Sequence, residues 1–402
     1  MNRPHPLAAL ALGGLALLGA AARADWTSYR GPTDNGISAE KLAPLPVGGL
    51  HQIWKAAVGT GTSSMTVSGD RVFTMGNLQN KDDVWCFDAK TGRVLWKHEY
   101  PLDVDKRMFE GGTAATPTID GDRVYTVSHQ GDLFCLHAAT GKAIWYKHYQ
   151  HDLGGKRPFW GYAGSPLIEG NLLICDVGAP GGSTIALDKT TGAVVWKSGD
   201  DPAGYASPIV ADLAGKRTIV VFKAQNIVGL DVQTGHELWR QPWKTDYDVN
   251  AATPIVSGNR ILVTSGYGSG CALFEITPSG VSERWRNKNL RAHINSPVIW
   301  QGAIYGIDNT ANAKAPLVCL DLETGALKWS QKLGGGAFVL IDGKLVILTE
   351  PGELIIGDVS PTSFQPSLRQ HVLPGRCWVQ PTVANGRIFC RNNNGDMVAL
   401  AP

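Results

Sequence analysis

One pattern recurs along this chain and limits what it can fold into more than any other feature. Residues 318–329 hold a short apolar run through Cys319, Leu320 and Asp321, a turn at Thr324 and Gly325, and a second run ending on Trp329. The same order appears with Cys86, Asp88, Gly92 and Trp96, and with Cys135, His137, Gly141 and Trp145. It returns with Ala186, Asp188, Gly192 and Trp196, and with Gly229, Asp231, Gly235 and Trp239. A looser copy, Thr277, Pro278, Ser279 and Gly280, leads to Trp285. The turn has a mechanism: Asp or Thr bonds its own backbone, and Gly supplies the positive φ of a short hairpin turn. Self-similarity at a period of roughly forty to fifty residues predicts a β-propeller with one four-stranded blade per repeat.

Each unit opens with a short strand, often just after a Ser/Thr-Pro pair: Thr116-Pro117, Ser165-Pro166, Ser207-Pro208, Thr253-Pro254, Ser296-Pro297. Proline suits the first position of a strand, where no ladder bond is lost. Six full units are followed by a degraded seventh at about residues 335–373, in which Asp358 and Pro361 replace the Thr-Gly turn and no Trp is present where one is due. Three strands of an eighth unit then end the chain, and the segment 50–58 around Trp54 is an orphan fourth strand. The expectation is an all-β, eight-bladed β-propeller over residues 50–402, with the N-terminal strand completing the C-terminal blade. Seven blades is the alternative if the degraded unit forms none. Closure removes the sheet edges that would otherwise template aggregation.

Residues 1–24 resemble an export signal: Arg3, an apolar run from Leu7 to Leu18, and small residues Ala22 and Ala24 at a cleavage site. The run is short for a span, and no cysteine follows it to accept a lipid. A periplasmic or secreted protein is expected, with no membrane span after cleavage. Residues 25–49 read as an extended arm on the main domain. Losing Arg3 and Arg23, and no acid, takes the formal net charge from +2 to zero. A neutral chain without a Lys/Arg run argues against nucleic acid. Of the cysteines, Cys86, Cys135 and Cys319 occupy one repeat position that Ala186 and Gly229 fill elsewhere, so buried free thiols are expected rather than a disulfide framework.

Turns between strands 1 and 2 and between strands 3 and 4 share one face and are monotonous. The opposite face carries long, irregular loops and the links between blades, where binding residues concentrate. Those links supply Arg107 and Glu110; Trp160 and Tyr162; Tyr205; Tyr247 and Asn250; His293 and Asn295; Trp378 and Gln380. Each precedes an innermost strand, so the set should converge on the mouth of the central channel. Aromatic walls with a few polar groups make a ligand pocket; the same residues could equally plug the channel. His148, His151 and Asp152 have metal-ligand spacing in an irregular link, and exposed polar residues are the simpler reading. The Gly-rich run at 266–270 precedes no helix that could receive a phosphate.

The repeat resembles that of the pyrroloquinoline quinone (PQQ)-like propeller family. That family holds PQQ dehydrogenases and quinone-free propellers such as the B subunit of the outer-membrane barrel assembly machinery. The opening run Asp25, Trp26, Tyr29, Arg30, Gly31, Pro32 also resembles that of exported PQQ-like propellers. What the resemblance implies divides in two. One expectation is a non-catalytic exported scaffold, without cofactor, that binds a cell-envelope protein or a small ligand through its loop-rich face. The other is a PQQ- and calcium-dependent alcohol or sugar dehydrogenase. For that, Arg107, Arg157, Arg291 or Arg376 would balance the quinone carboxylates, and Glu110, Asp246, Asp248, Asn250, Asp308 or Asn309 would donate to calcium. The adjacent cysteine pair of the quinone enzymes is absent, as is a Cys-x-x-Cys-His haem site.

Overall fold

The computed structural model describes residues 25–107, 109–308 and 315–402; the expected export segment lies outside them. Eight four-stranded antiparallel meanders form the ring. Blade 1 runs from Thr66–Ser68 through Val94–Pro101, blade 2 from Thr118–Asp120 through Ala143–His148, and blade 3 from Leu167–Glu169 through Val194–Ser198. Blade 4 runs from Ile209–Leu213 through Glu237–Pro242, blade 5 from Ile255–Ser257 through Gly280–Asn287, and blade 6 from Val298–Trp300 through Leu327–Lys332. The degraded unit is a complete blade 7, from Ala337–Ile341 through Ser363–His371, which removes the seven-bladed alternative. Blade 8 combines Thr382–Ala384, Arg387–Arg391 and Asp396–Ala401 with His51–Ala57, in the register Trp54 to Ala399.

The burial pattern follows from position. Second and third strands are covered on both faces and read as near-continuous apolar runs, as in Arg387–Arg391 and Asp132–His137. Fourth strands alternate, because one face meets water: in Val94–Pro101 only Trp96 and Tyr100 are buried. All seven cysteines are buried free thiols, and burial pushes Cys86 up to about 12, so it stays protonated at neutral pH.

The repeated tryptophans bridge blades. Trp54 Nε1 donates to Ala89 O (3.0 Å), Trp96 to Ala138 O (2.9 Å), Trp145 to Lys189 O (3.1 Å) and Trp196 to Val232 O (3.2 Å). Each acceptor follows the first residue of the next blade's turn. The turn glycine lies under the indole: a Cβ on Gly235, at φ +70°, would sit 2.4 Å from Trp196. Trp239 faces the looser turn at Thr277–Gly280, and its Nε1 has no partner among the described residues. The Ser/Thr-Pro pairs do related work nearer the axis. Thr116 N donates to Ser165 Oγ, Ser165 N to Ser207 Oγ and Thr253 N to Ser296 Oγ, each at 2.9 Å.

The arm lies against the turn face of the ring, with Asp25 accepting from Gly69 N and Glu40 from Gly386 N. It enters the channel from the turn face. Trp26 pairs with Val67 of blade 1, and Thr27 O accepts from Ile119 N of blade 2. Arg30 then reaches Pro297 O (2.5 Å) and Gln380 Oε1 (3.3 Å), and the strand Ile37–Ser38 adds in parallel to the inner edge of blade 7. The side chain of Arg30 is buried there, and that burial lowers its pKa to about 10.

The two kinds of tryptophan seat separate in a simple comparison. Trp196→Phe loses an indole hydrogen bond and Trp239→Phe does not. Trp196→Phe should therefore be the more destabilising by about 1 kcal/mol, read as the difference in denaturant-unfolding free energy. Equal losses would mean that the hydrogen bond adds nothing to the wedge.

Candidate functional site

A cavity of about 740 Å³ opens at the loop-rich end of the channel. Its floor is Tyr29, carried up the channel by the arm. Links between blades supply most of the wall: Phe109 and Glu110, Trp160, Tyr205, Val249, His293, Trp378 and Gln380. Loops of blades 5 and 7 add Tyr267 and Glu350. The channel is thus blocked from below by the arm and left open above as a blind, aromatic-walled pocket of ligand-binding size.

Six of the sequence candidates line it: Glu110, Trp160, Tyr205, His293, Trp378 and Gln380. Five do not line it, four of them because their polar groups are bonded elsewhere. Arg107 lies outside the wall, held by Asp105 (Nη2 to Oδ2, 2.6 Å) and stacked over Phe159. Tyr162 is buried against Tyr149 and donates to Val177 O (3.2 Å). Asn250 is buried, donates to Ala224 O (2.9 Å) and accepts from Ser265 Oγ (2.7 Å). Asn295 is buried and donates to Gly336 O. Tyr247 stands in solvent at the rim, against Tyr267. Of the contributors outside that set, Tyr29 belongs to the arm and Glu350 to the degraded blade, so neither carries a repeat-derived signal of position.

The charges at the mouth are paired. Arg376 Nη1 lies 2.7 Å from Glu110 Oε1, and its Nε lies 3.8 Å from Glu350 Oε1. The same guanidinium stacks 4.8 Å from Trp378 and 5.1 Å from Phe109. Arg291 grips Asp308 through Nε (3.0 Å) and Nη2 (2.5 Å). Below the Trp160 link, Arg157 reaches Asp105 (2.7 Å) and His129 O (3.1 Å). The bond from Arg107 is the largest of the effects that hold the Asp105 carboxyl well below the usual carboxylate range. Burial lowers His293, so its ring is neutral at pH 7.

Most of the groups that a quinone with calcium would use have partners within the protein. Arg376 and Arg291 are already neutralised, Glu110 is held by Arg376 and Asn393, and Asp248 accepts from Gln225 Nε2 (3.1 Å). Asn250 is used inside the wall, and Asn309 lies outside the described residues. His148 and His151 stack at 4.3 Å, with His148 Nδ1 accepting from Gln150 N. Among the described residues no group of three or more His, Cys, Asp or Glu is placed to hold a metal ion.

The family model described as outer membrane protein assembly factor BamB matches residues 80–331. The chain belongs to this PQQ-like β-propeller family. No curated protein sequence matches it. Among solved structures, BamB from Moraxella catarrhalis is 18% identical with a TM-score of 0.64, over 88% of this chain and 98% of that one. A quinohemoprotein alcohol dehydrogenase from Comamonas testosteroni is 13% identical with a TM-score of 0.67, over 94% of this chain and 80% of that one. A computationally designed protein, Ika8, matches at 12% identity and a TM-score of 0.61. At such identities these likenesses establish the fold alone.

The wall contains an acid-sensitive group. His129 is fully buried behind the Trp160 link, neither ring nitrogen has a protein partner among the described residues, and burial lowers its pKa to about 4. Between that value and the unfolded pKa of about 6.5 the unfolded chain binds the extra proton, so stability falls as pH falls through this window. The loss attributable to His129 should approach roughly 3 kcal/mol by pH 4. Urea unfolding of wild type and His129→Phe at pH 7 and pH 4.5 should show a smaller acid penalty in the variant. An unchanged penalty would assign the acid sensitivity to other groups.

Proposed function

We propose that this chain is an exported, non-catalytic member of its family, a scaffold of the cell envelope that binds a protein or a small ligand at its loop-rich face. The observation that carries this reading is the state of the cavity's ionisable groups. A catalytic or calcium site needs carboxylates free to take a proton or a cation. Here Glu110, Glu350 and Asp308 each stand against an arginine at the cavity or its edge. What remains presented to a visitor is aromatic surface on a rigid ring, which is the equipment of a binding site. Among the described residues no helix is long and apolar enough to cross a membrane. Export rests on the character of residues 1–24.

Two measurements test the reading. The mature protein, dialysed with PQQ and Ca²⁺, should retain no stoichiometric quinone absorbance and should reduce no artificial electron acceptor when given alcohols or sugars. Retention of one quinone per chain together with alcohol-dependent dye reduction would overturn it in favour of the dehydrogenase. Mass spectrometry of protein recovered from the envelope fraction should give an N-terminus at Asp25. An intact Met1 in the cytoplasmic fraction would overturn export.

A further inference from the structure

We propose that the channel-mouth cavity takes a ligand with a flat apolar face and no negative charge, gripped between aromatic side chains contributed from opposite sides of the ring. This rests on the reading above that the cavity is the binding site, and adds the class of molecule it selects.

The first observation is the placement of the rings. Phe109 and Trp378 meet edge to face at 4.7 Å on the side formed by the links around blades 1 and 8. Tyr267 packs on His293 at 4.7 Å and on Tyr247 at 5.4 Å, on the side formed by blade 5 and its links, about half the ring away. Trp160 and Tyr205 stand between them, the Tyr205 hydroxyl accepting from Trp160 N at 3.4 Å.

The second observation is strain. Phe109, Tyr247 and Tyr267 hold φ values of +44°, +65° and +51°. Bulky L-residues rarely adopt this region, and holding them there stores backbone strain. The other non-glycine residues with positive φ among the described ones are polar or small, such as Asn80, Ala214, Asp342 and Asn385. Among the described residues, positive φ on an aromatic residue therefore occurs only where the ring is held out at the mouth: Phe109 is 67% exposed, Tyr247 78% and Tyr267 45%. Exposed rings in strained backbone contribute little to the fold's own core.

The third observation selects charge. Each formal charge lining the cavity stands against an opposite one, but Glu110 and Glu350 share the single Arg376 while Arg291 is matched by Asp308, so one carboxylate is in excess. A cationic ligand can lie on the aromatic faces near the carboxylate that Arg376 leaves unmatched. An anionic ligand would have to draw Arg291 from a two-point grip on Asp308, leaving that carboxylate partly buried and unpaired. A neutral or cationic molecule does not meet that cost. It can cover Trp160 and Trp378 with its faces and meet Gln380 and the Glu110–Arg376 pair with its polar edge.

A set of planar phenoxazine-type dyes separates the terms: Nile red is uncharged, Nile blue a cation and resorufin an anion. Titrated into the full mature chain and read by the quenching of tryptophan fluorescence, Nile red and Nile blue should each saturate at one per chain and bind at least ten-fold more tightly than resorufin. Ala251→Phe fills the cavity from its wall, and Trp160→Ala removes one ring. With thermal unfolding unchanged, both should weaken Nile red at least ten-fold. Equal or tighter binding of resorufin, still lost in Ala251→Phe, overturns the charge selection and leaves the site standing. Binding that Ala251→Phe and Trp160→Ala both leave unaltered, or no saturable binding of any of the dyes, overturns the site itself.

Discussion

The ring depends on one junction. His51–Ala57, near the start of the described chain, is the outer strand of the blade whose other three strands end the chain. Without it, blade 8 would lack its outer strand and the residues that lead into blade 1. The junction is secured by an unusual group. Arg391 is fully buried and touches no carboxylate; its guanidinium donates to Gly59 O (3.0 Å), Gly61 O (3.1 Å), Ser63 O (3.1 Å), Met75 O (2.5 Å) and Thr74 Oγ1 (2.9 Å). These acceptors belong to the link out of the closing strand and to blade 1. Burial lowers the arginine to about 9, which measures how strongly the site opposes the charge. Only a complete set of acceptors offsets that opposition, and those acceptors converge only when the ring is closed. Closure and satisfaction of Arg391 are one event.

Most of this architecture was legible because each blade repeats a local instruction. Asp88 accepts from Thr91 N and Lys90 N, as Asp188 does from Thr191 N and Thr190 N, and those bonds form within a few residues of chain. Local chemistry of this kind survives in sequence. The Ser/Thr-Pro pairs were legible as strand starts but not as a girdle. The acceptor role of Ser165 toward Thr116 is a relation between blades, visible only once the blades are adjacent. Blade 7 shows the reverse case. It lacks the Thr-Gly turn and its tryptophan, yet Ala337–Ile341 and Lys344–Leu348 are so uniformly apolar that burial alone makes the blade.

The candidate site was half legible. Position before an inner strand predicted which links reach the channel, and Glu110, Trp160, Tyr205, His293, Trp378 and Gln380 do line its mouth. It could not predict side-chain direction within a link. Tyr162, Asn250 and Asn295 turn back into the wall because backbone carbonyls there need donors. Tyr29 was out of reach for a different reason. Its place on the axis is set by Arg30, whose partners at Pro297 and Gln380 are some 270 and 350 residues away in sequence.

That last contact says where individuality enters a repetitive fold. Blades and wedges fix the ring's diameter, and they would do so for any chain with the same repeat. The depth of the pocket is fixed by the arm, since Tyr29 is its floor. The register of the arm is fixed by Arg30 and by the two-residue parallel strand on blade 7. Gln380 belongs to both parts: its amide donates to Tyr29 O and accepts from Arg30, while its side of the link lines the cavity. A shift of the arm by one residue would put Trp26 out of register with Val67 and replace the floor, with no change in any blade. Selectivity at the mouth is therefore decided by the segments that do not repeat, and two propellers with superimposable blades need share nothing in what they bind.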